Sequence, residues 1–192
     1  MTSLLHCSKL MPQGRGLARV LIQRASTLNL DWDTRQKSRF DATDNQGRAL
    51  GVFLPRGAVV RGGDVLVAED GSLVRVIAAP QPVLVITACP QHGTPFDLTR
   101  AAYHLGNRHV PIELRPEHLK IEPDHVLADM LRAMHLIVNE TRDTFEPEGG
   151  AYGGGHGGHG HSHAHGHADH SHADGHTHGH THDHDHGHDH DH

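Results

Sequence analysis

The chain has little of what small secreted proteins and membrane proteins depend on. Its 192 residues include only two cysteines, Cys7 and Cys89, which are too few for a framework of disulfide bonds. No apolar run approaches the roughly 20 residues that a membrane-spanning helix requires. The N-terminus has short apolar patches broken by Lys, Pro and Gly, without the continuous apolar stretch of a secretory signal. These absences predict a cytoplasmic protein without a membrane segment.

Positive charge is also scarce, and it is unevenly distributed. The whole chain carries 17 Lys and Arg against 23 Asp and Glu, a formal net charge of −6. Residues 151–192 contain six Asp and neither Lys nor Arg, so residues 1–150 carry 17 charges of each sign and are formally neutral. Binding to nucleic acid requires clustered Lys and Arg that neutralise phosphates. The composition therefore predicts no nucleic-acid partner.

Motifs of the common hydrolases and nucleotide-dependent enzymes are missing as well. The sequence has no HExxH motif, no serine or cysteine in a recognisable nucleophile turn and no glycine-rich phosphate loop. A metal-dependent hydrolase would need a closed group of ligands together with a general base. The sequence therefore predicts a binding protein rather than an enzyme.

The segment 17–79 has the pattern of a small, all-β domain. Short apolar runs such as LGVFL, DVLVA and LVRVIAA alternate with turn sequences rich in Gly, Asp and Asn. The run ARVLIQR (18–24) is interpreted in the same way, as a strand. Residues 1–16 lack this pattern and are predicted to form a flexible N-terminus. Pro80 and Pro82 mark the link to a second domain.

Residues 80–148 change to a mixture of strands and helices. Strands are predicted at 82–88, 110–114, 118–122 and 137–142, and helices at 93–105 and 124–136. Thr94 and Asp124 are expected to cap the two helices. The apolar spacing of the second helix predicts a buried face made of Val126, Leu127, Met130, Leu131 and Met134. The order β-α-β-β-α-β predicts a ferredoxin-like domain, and with the preceding β domain the fold class is α+β.

Histidine dominates residues 149–192, which contain no Leu, Ile, Val, Met or Phe. A segment without these residues has no core to bury, so this tail is predicted to be disordered. Imidazole is a good ligand for Ni²⁺, Cu²⁺ and Zn²⁺, and Asp adds oxygen ligands. The predicted tail ligands are His156, His159, His161, His163, His165, His167, His170, His172, His176, His178, His180, His182, His184, His186, His188, His190 and His192. A purification tag, a solvating tail and a pH sensor are alternatives that these residues leave open.

Seven histidines lie outside the tail, and His109 is the most informative of them. It follows a predicted helix and the turn Gly106–Asn107, so its side chain is expected at the surface or at an interface. The surrounding YHLGNRHVP (103–111) resembles the hallmark sequence of the UreE urease accessory protein family. Similar likenesses to that family are found in RQKSRF (35–40), LPRGAVVRGGDVL (54–66), EDGSLVRVIAAP (69–80), EPDHVLADMLR (122–132) and FEPEGGAYGGGH (145–156).

This resemblance implies a metallochaperone that delivers Ni(II) to urease during maturation of its active site. It implies a partner-binding role for the β domain, homodimerisation through the second domain, and His109 as a metal ligand repeated across the dimer interface. His125 matches the second histidine of an HDH motif that some members have, whereas Pro123 replaces the first and cannot bind metal. The implied partners are the accessory GTPase UreG and the urease activation complex, and the tail would be a metal reservoir.

The choice of metal and several weaker features are left open by the sequence. Zn(II) and Cu(II) would compete with Ni(II), because imidazole sites distinguish these ions poorly. A histidine-rich storage or buffering protein for nickel or zinc is the alternative function. His104 is interpreted as a helix-packing residue, and CPQH (89–92) as half of a zinc-ligand spacing. Lys37 and Arg39 are interpreted as a solvated or partner-facing pair.

Overall fold

The computed structural model describes residues 4–149, and its N-terminal half, up to Ala78, is built on one six-stranded sheet. The elements are β1 Leu5–Met11, α1 Arg19–Arg24, β2 Ser26–Leu30, α2 Trp32–Arg35, β3 Arg39–Thr43, β4 Ala49–Phe53, β5 Val65–Ala68 and β6 Leu73–Ala78. The strand order is β2-β6-β5-β1-β4-β3, with β1–β4 and β2–β6 parallel and the other neighbours antiparallel. Alternate strand residues such as Leu28, Leu50 and Val52 are buried together on one side. The prediction that this half is built on β-strands is confirmed, although two short helices, α1 and α2, lie between its strands.

Two segments of this half differ from the sequence-based prediction. The segment 1–16, predicted to be flexible, contains β1, an inner strand paired with both β4 and β5. Lys9 and a register shift between Cys7 and Lys9 break the apolar alternation that would mark this strand in the sequence. The run ARVLIQR (18–24), predicted as a strand, forms α1 instead. Apolar runs this short fit either structure, and their tertiary neighbours decide between the two.

The C-terminal half has the predicted order β-α-β-β-α-β. Its elements are β7 Gln81–Thr87, α3 Pro95–Gly106, β8 Glu113–Leu114, β9 Leu119–Ile121, α4 His125–Ala133 and β10 Ile137–Asp143. The sheet order β10-β7-β9-β8 is antiparallel throughout. In this order, β9 lies between the two strands of the β7-α3-β8 unit, and β7 lies between the two strands of the β9-α4-β10 unit. The ferredoxin-like arrangement and the α+β class are therefore confirmed.

Both predicted helix caps are present. Asp97 Oδ2 accepts a 2.8 Å hydrogen bond from the backbone N–H of Thr94, in a capping box at the start of α3. Asp124 Oδ1 accepts a 2.9 Å hydrogen bond from the backbone N–H of Leu127 at the start of α4. These caps satisfy N–H groups that have no partner within the helix, so the start of each helix is determined locally.

The two helices cover one face of the second sheet. Leu98 and Leu105 of α3, with Ala128 and Leu131 of α4, pack against buried residues of β7 and β9. Leu127, Met130 and Met134 are partly buried against the same core, as their helical spacing predicts. Val126 is 62 % exposed, so its predicted place on the buried face is wrong. It lies in the first turn of α4, beside the buried stripe rather than within it.

The two halves are joined through the side chain of Arg35, which is fully buried. Its Nε donates to the carbonyl of Leu30, and its terminal nitrogens donate to Glu146 Oε1 at 2.8 Å and to the carbonyl of Phe145 at 2.6 Å. A buried guanidinium needs such complete pairing to offset its desolvation. The segment 144–148, here called the return segment, therefore runs back from β10 to the N-terminal half.

Candidate metal site

The end of α3 presents His109 in an uncommon backbone conformation. The N–H of Val110 donates to the carbonyl of Leu105, and the N–H of His109 donates to the carbonyl of Gly106. These two bonds define a Schellman motif, in which the residue after the cap takes the left-handed conformation. Glycine usually fills that position, but here it is His109, with φ of 58°. The backbone hydrogen bonds at the end of α3 therefore fix His109 at a sharp turn of the chain, here called the Schellman turn.

At this Schellman turn, the imidazole of His109 is exposed to solvent. Within residues 4–149, its ring nitrogens have no hydrogen-bond partner among the protein's side chains or backbone. Neighbouring α3 carries Phe96 and Tyr103, which are 65 % and 66 % exposed and lie seven residues apart on the same side of the helix. His104 is half-buried on this helix, with its ring edge-on to that of Tyr103 at 5.4 Å. An exposed candidate ligand, His109, thus follows the end of a helix that carries exposed apolar side chains.

His125 is the first residue of α4 and is also exposed. It lines a shallow cleft of about 400 Å³ together with Pro123, Asp124, Arg132 and Glu140. The carboxylate of Asp124 already accepts the capping hydrogen bond of α4. Pro123 offers no side-chain donor atom, so His125 is the single histidine that lines this cleft.

The predicted ligands do not form a closed site in the part of the chain that the structure describes. Among residues 4–149, no three side chains of His, Cys, Asp or Glu are grouped closely enough to hold a metal ion. The structure therefore does not bring His109 and His125 into one such group. The seventeen predicted tail ligands, His156 to His192, lie outside the described residues. Within a single chain, residues 4–149 therefore supply separate imidazoles rather than a complete coordination sphere.

The sequence prediction did not single out His135, which occupies the same backbone position at the end of α4. The N–H of Leu136 donates to the carbonyl of Leu131, the N–H of His135 donates to the carbonyl of Arg132, and φ of His135 is 64°. His135 is exposed and lines a second cleft that also contains Cys89 and His92. One sequence signal could have indicated this conformation. His135 is a polar residue between an amphipathic helix and a strand, and no glycine is present there to end the helix.

Glu113 fixes the path of the return segment. This buried carboxylate accepts a 2.7 Å hydrogen bond from the N–H of Glu146 and pairs with Arg115 at 2.8 Å and with Lys120 at 3.6 Å. Burial by itself would raise the pKa of Glu113, but the hydrogen bonds from Glu146 and Arg115 and the charge of Lys120 lower it overall. The carboxylate is thus held ionised where it anchors the chain just before the tail.

Two further sequence likenesses, LPRGAVVRGGDVL and FEPEGG, meet at Glu146. Its Oε1 accepts a 2.8 Å hydrogen bond from the N–H of Gly62, and its Oε2 lies 3.3 Å from Arg61. A Cβ atom added at Gly62 would lie 2.9 Å from Glu146 Oε1. The guanidinium of Arg61 lies over the ring of Trp32, 5.1 Å from its centroid. These motifs therefore hold the two halves of the chain together.

Two family models match the chain, and their boundary falls between the two sheets. The model described as the UreE urease accessory protein N-terminal domain matches residues 8–79. The model described as the C-terminal domain of the same protein matches residues 81–192. Among the described helices of residues 4–149, none has the length and apolar character needed to cross a membrane.

Curated relatives agree with the family models. A protein of a Polaromonas species named urease accessory protein UreE is 77 % identical over 154 residues, which are 80 % of this chain and 70 % of the relative. Relatives of the same name in Paracidovorax citrulli and Verminephrobacter eiseniae are 78 % and 73 % identical, over 80 % of this chain and 73 % and 94 % of their own lengths. With both sheets matched and identity at this level, the chain belongs to the UreE family of urease accessory proteins.

Proposed function

We propose that this chain is a nickel metallochaperone that delivers Ni(II) to urease while the urease active site matures, and that it is not an enzyme. The observation that carries the proposal is the exposed imidazole of His109, which lies in the Schellman turn at the end of α3 in a UreE-family domain. An imidazole on the surface can bind a borderline cation such as Ni²⁺ and remains accessible to a recipient. The proposed transfer is ligand exchange and makes no covalent intermediate.

A homodimer would complete the His109 site. A two-fold axis turns one exposed histidine into a facing pair, so that two chains share one ion. The exposed side chains of Phe96 and Tyr103 supply apolar area along α3, the helix that His109 follows, which supports an interface on this face. In this arrangement Ni²⁺ is the cargo of the dimer, and its remaining coordination positions are open.

An open site suits a donor better than a closed one. Structural metal sites enclose their ion with four protein ligands, whereas exchange with a recipient needs a free position. The lack of any three-ligand group among residues 4–149 is consistent with this requirement. His125, without a histidine at position 123, would be an auxiliary ligand. The tail histidines His156 to His192 would hold further ions as a reservoir, with Zn(II) and Cu(II) as competitors.

The proposed partners follow from the family. Urease itself, its activation complex and the accessory GTPase UreG would receive the ion or control its transfer, in the cytoplasm. The N-terminal sheet, which lacks the candidate ligands His109 and His125, would supply a partner-binding surface. Its exposed α1, with Val20 and Leu21 each about half exposed, offers apolar side chains for such contacts.

Calorimetric titration of Ni²⁺ into a chain ending at Gly149 tests the body site without the tail. At the His109 site we expect one Ni²⁺ per dimer, and the loss of this binding event in His109→Ala, with the dimer still present by analytical ultracentrifugation. His118→Ala, a histidine on the β8–β9 turn, is the matched control and should bind as the parent does. If the parent chain binds no Ni²⁺, or if His109→Ala binds unchanged, the proposed site is wrong.

The second candidate function is storage or buffering by the tail, favoured by its seventeen histidines. Removing residues 150–192 separates the two functions in cells. The carrier predicts lower urease activity mainly when nickel is scarce, because His109 still delivers the ion. The storage function predicts the same loss at every nickel concentration.

A further inference from the structure

The loop between β7 and α3 brings the only accessible thiol of the chain next to an imidazole. Cys89 Sγ lies 3.9 Å from His92 Nδ1. The other cysteine, Cys7, is fully buried in the N-terminal sheet. Cys89 is partly exposed and His92 is exposed, so solutes can reach the pair from solvent.

A tight turn creates this pair. The N–H of Gly93 donates to the carbonyl of Cys89 at 2.7 Å, closing the loop on itself. A Cβ atom at position 93 would lie 2.5 Å and 2.6 Å from the backbone N and O of Cys89, so only glycine fits there. The turn therefore forces residues 89 and 92 to the same side of the loop, directly before α3 begins.

The spacing of the two donor atoms suits a bridging cation. With metal–sulfur and metal–nitrogen bonds of about 2.3 and 2.0 Å at a tetrahedral angle, the sulfur and nitrogen lie roughly 3.5 Å apart. The observed 3.9 Å is longer by a few tenths of an ångström, within reach of a small rotation of either side chain. Hydrogen bonds from Gln91 and His92 lower the pKa of the Cys89 thiol, which favours the thiolate form that binds metal.

The pair opens into the second cleft described above, of about 550 Å³. His135 and Met134 of the α4 end also line this cleft, so nitrogen and sulfur donors prevail there over oxygen. Asp97 lines it too, but its carboxylate is held by Thr94. Soft and borderline cations prefer such a donor set to the oxygen ligands of Mg²⁺ or Ca²⁺.

We propose that Cys89 and His92 form a thiolate–imidazole chelate for a soft or borderline divalent cation such as Zn²⁺, separate from the His109 site. The chelate supplies two ligands, and the other positions are open to water or to a further imidazole. It is therefore an exchangeable site rather than a structural one. The proposal does not depend on nickel delivery to urease, because it concerns other residues and another donor set.

Co²⁺ is the probe, because a thiolate bound to Co²⁺ gives a near-ultraviolet charge-transfer band that imidazole and carboxylate ligands do not give. The full chain is titrated with Co²⁺ in the absence of oxygen, so that the thiol is not oxidised. Ions bound by the tail add no such band, because residues 150–192 contain no cysteine. We expect the band in the parent chain and in Cys7→Ala, and its complete loss in Cys89→Ser. We expect His92→Ala to weaken the affinity reported by the band at least about tenfold.

His104→Ala, a histidine of α3 that does not line the cleft, is the matched control and should leave the band and its affinity unchanged. Circular dichroism verifies that each variant is folded. The proposal is overturned if the parent chain gives no band at saturating Co²⁺, or if Cys89→Ser keeps it. An unchanged affinity in His92→Ala also overturns it, since Cys89 would then bind without its partner.

Discussion

The units β7-α3-β8 and β9-α4-β10 of the C-terminal half end their helices with the same backbone motif but in different surroundings. His109 and His135 both follow a helix in the left-handed conformation, with φ of 58° and 64°. His109 follows α3, a helix with exposed apolar side chains, whereas His135 shares a cleft with Cys89 and His92. One backbone motif thus presents an imidazole twice, and the neighbouring side chains decide what each imidazole can bind.

The largest expected difference between the two helix ends is in the stability contributed by the residue after each histidine, Val110 or Leu136. Leu136 is buried and Val110 only partly so, although both pack against the same core. We expect Leu136→Ala to lower the free energy of unfolding by about 3 kcal/mol. Val110→Ala should lower it by about 1 kcal/mol, since less apolar area is lost. Urea unfolding measures both, and equal losses would show that the two helix ends are packed alike.

The affinity for Ni²⁺ should depend on His109 but not on His135. In the chain ending at Gly149, we expect His109→Ala to weaken Ni²⁺ binding by more than about tenfold, or about 1.4 kcal/mol. His135→Ala should leave the affinity of the shared dimer site within about twofold, because His135 lies in the other cleft. Calorimetry with both variants measures this difference. Equal losses in the two variants would remove the distinction between the helix ends.

Glycine at either position should stabilise the protein. A left-handed conformation costs residues with a Cβ atom about 1 kcal/mol or more, which glycine avoids. We therefore expect His109→Gly and His135→Gly each to raise the free energy of unfolding by about 1 kcal/mol, measured by urea unfolding. His109→Gly should lose Ni²⁺ binding as His109→Ala does. A destabilised glycine variant would mean that the imidazole makes a stabilising contact that outweighs the strain.

The smallest expected effect concerns the start of α3 and its dependence on pH. Hydrogen bonding from Thr94 lowers the pKa of Asp97 below its ordinary value. The Asp97 contribution to stability is therefore present above the pKa of the unfolded chain and is lost as the pH falls through the folded pKa. We expect Asp97→Asn to be less stable than the parent near neutral pH, and the difference to shrink below about pH 4. Thermal unfolding across pH tests this, and a difference independent of pH would exclude the charge as its cause.

Much of the C-terminal half could be predicted because its signals are local. The caps at Thr94 and Asp124 and the helical spacing of Leu127, Met130 and Leu131 need only neighbouring residues, and they are found as predicted. The position of His109 after a helix end was predictable for the same reason. That His135 has the same geometry was not predicted, since its helix ends without the Gly–Asn pair that marks the end of α3.

Features that depend on distant parts of the chain were not predictable from local patterns. The strand β1 is stabilised by pairing with β4 and β5, which lie more than 40 residues away along the chain. The burial of Arg35 depends on Phe145 and Glu146, about 110 residues further on. Cys89 and His92 could be noted as half of a zinc spacing, but the sequence could not show that His135 lies in the same cleft.

The sequence by itself determined the order of the ferredoxin-like elements, the starts of α3 and α4, the family, and the concentration of histidines after Gly149. These features follow from helix capping, from apolar periodicity and from composition, all of which act over a few residues. Only the tertiary structure decided that Arg35 would join the two halves, that β1 would be an inner strand and that His135 would line the same cleft as Cys89. Each of these depends on burial and hydrogen bonding between segments that meet only when the chain has folded.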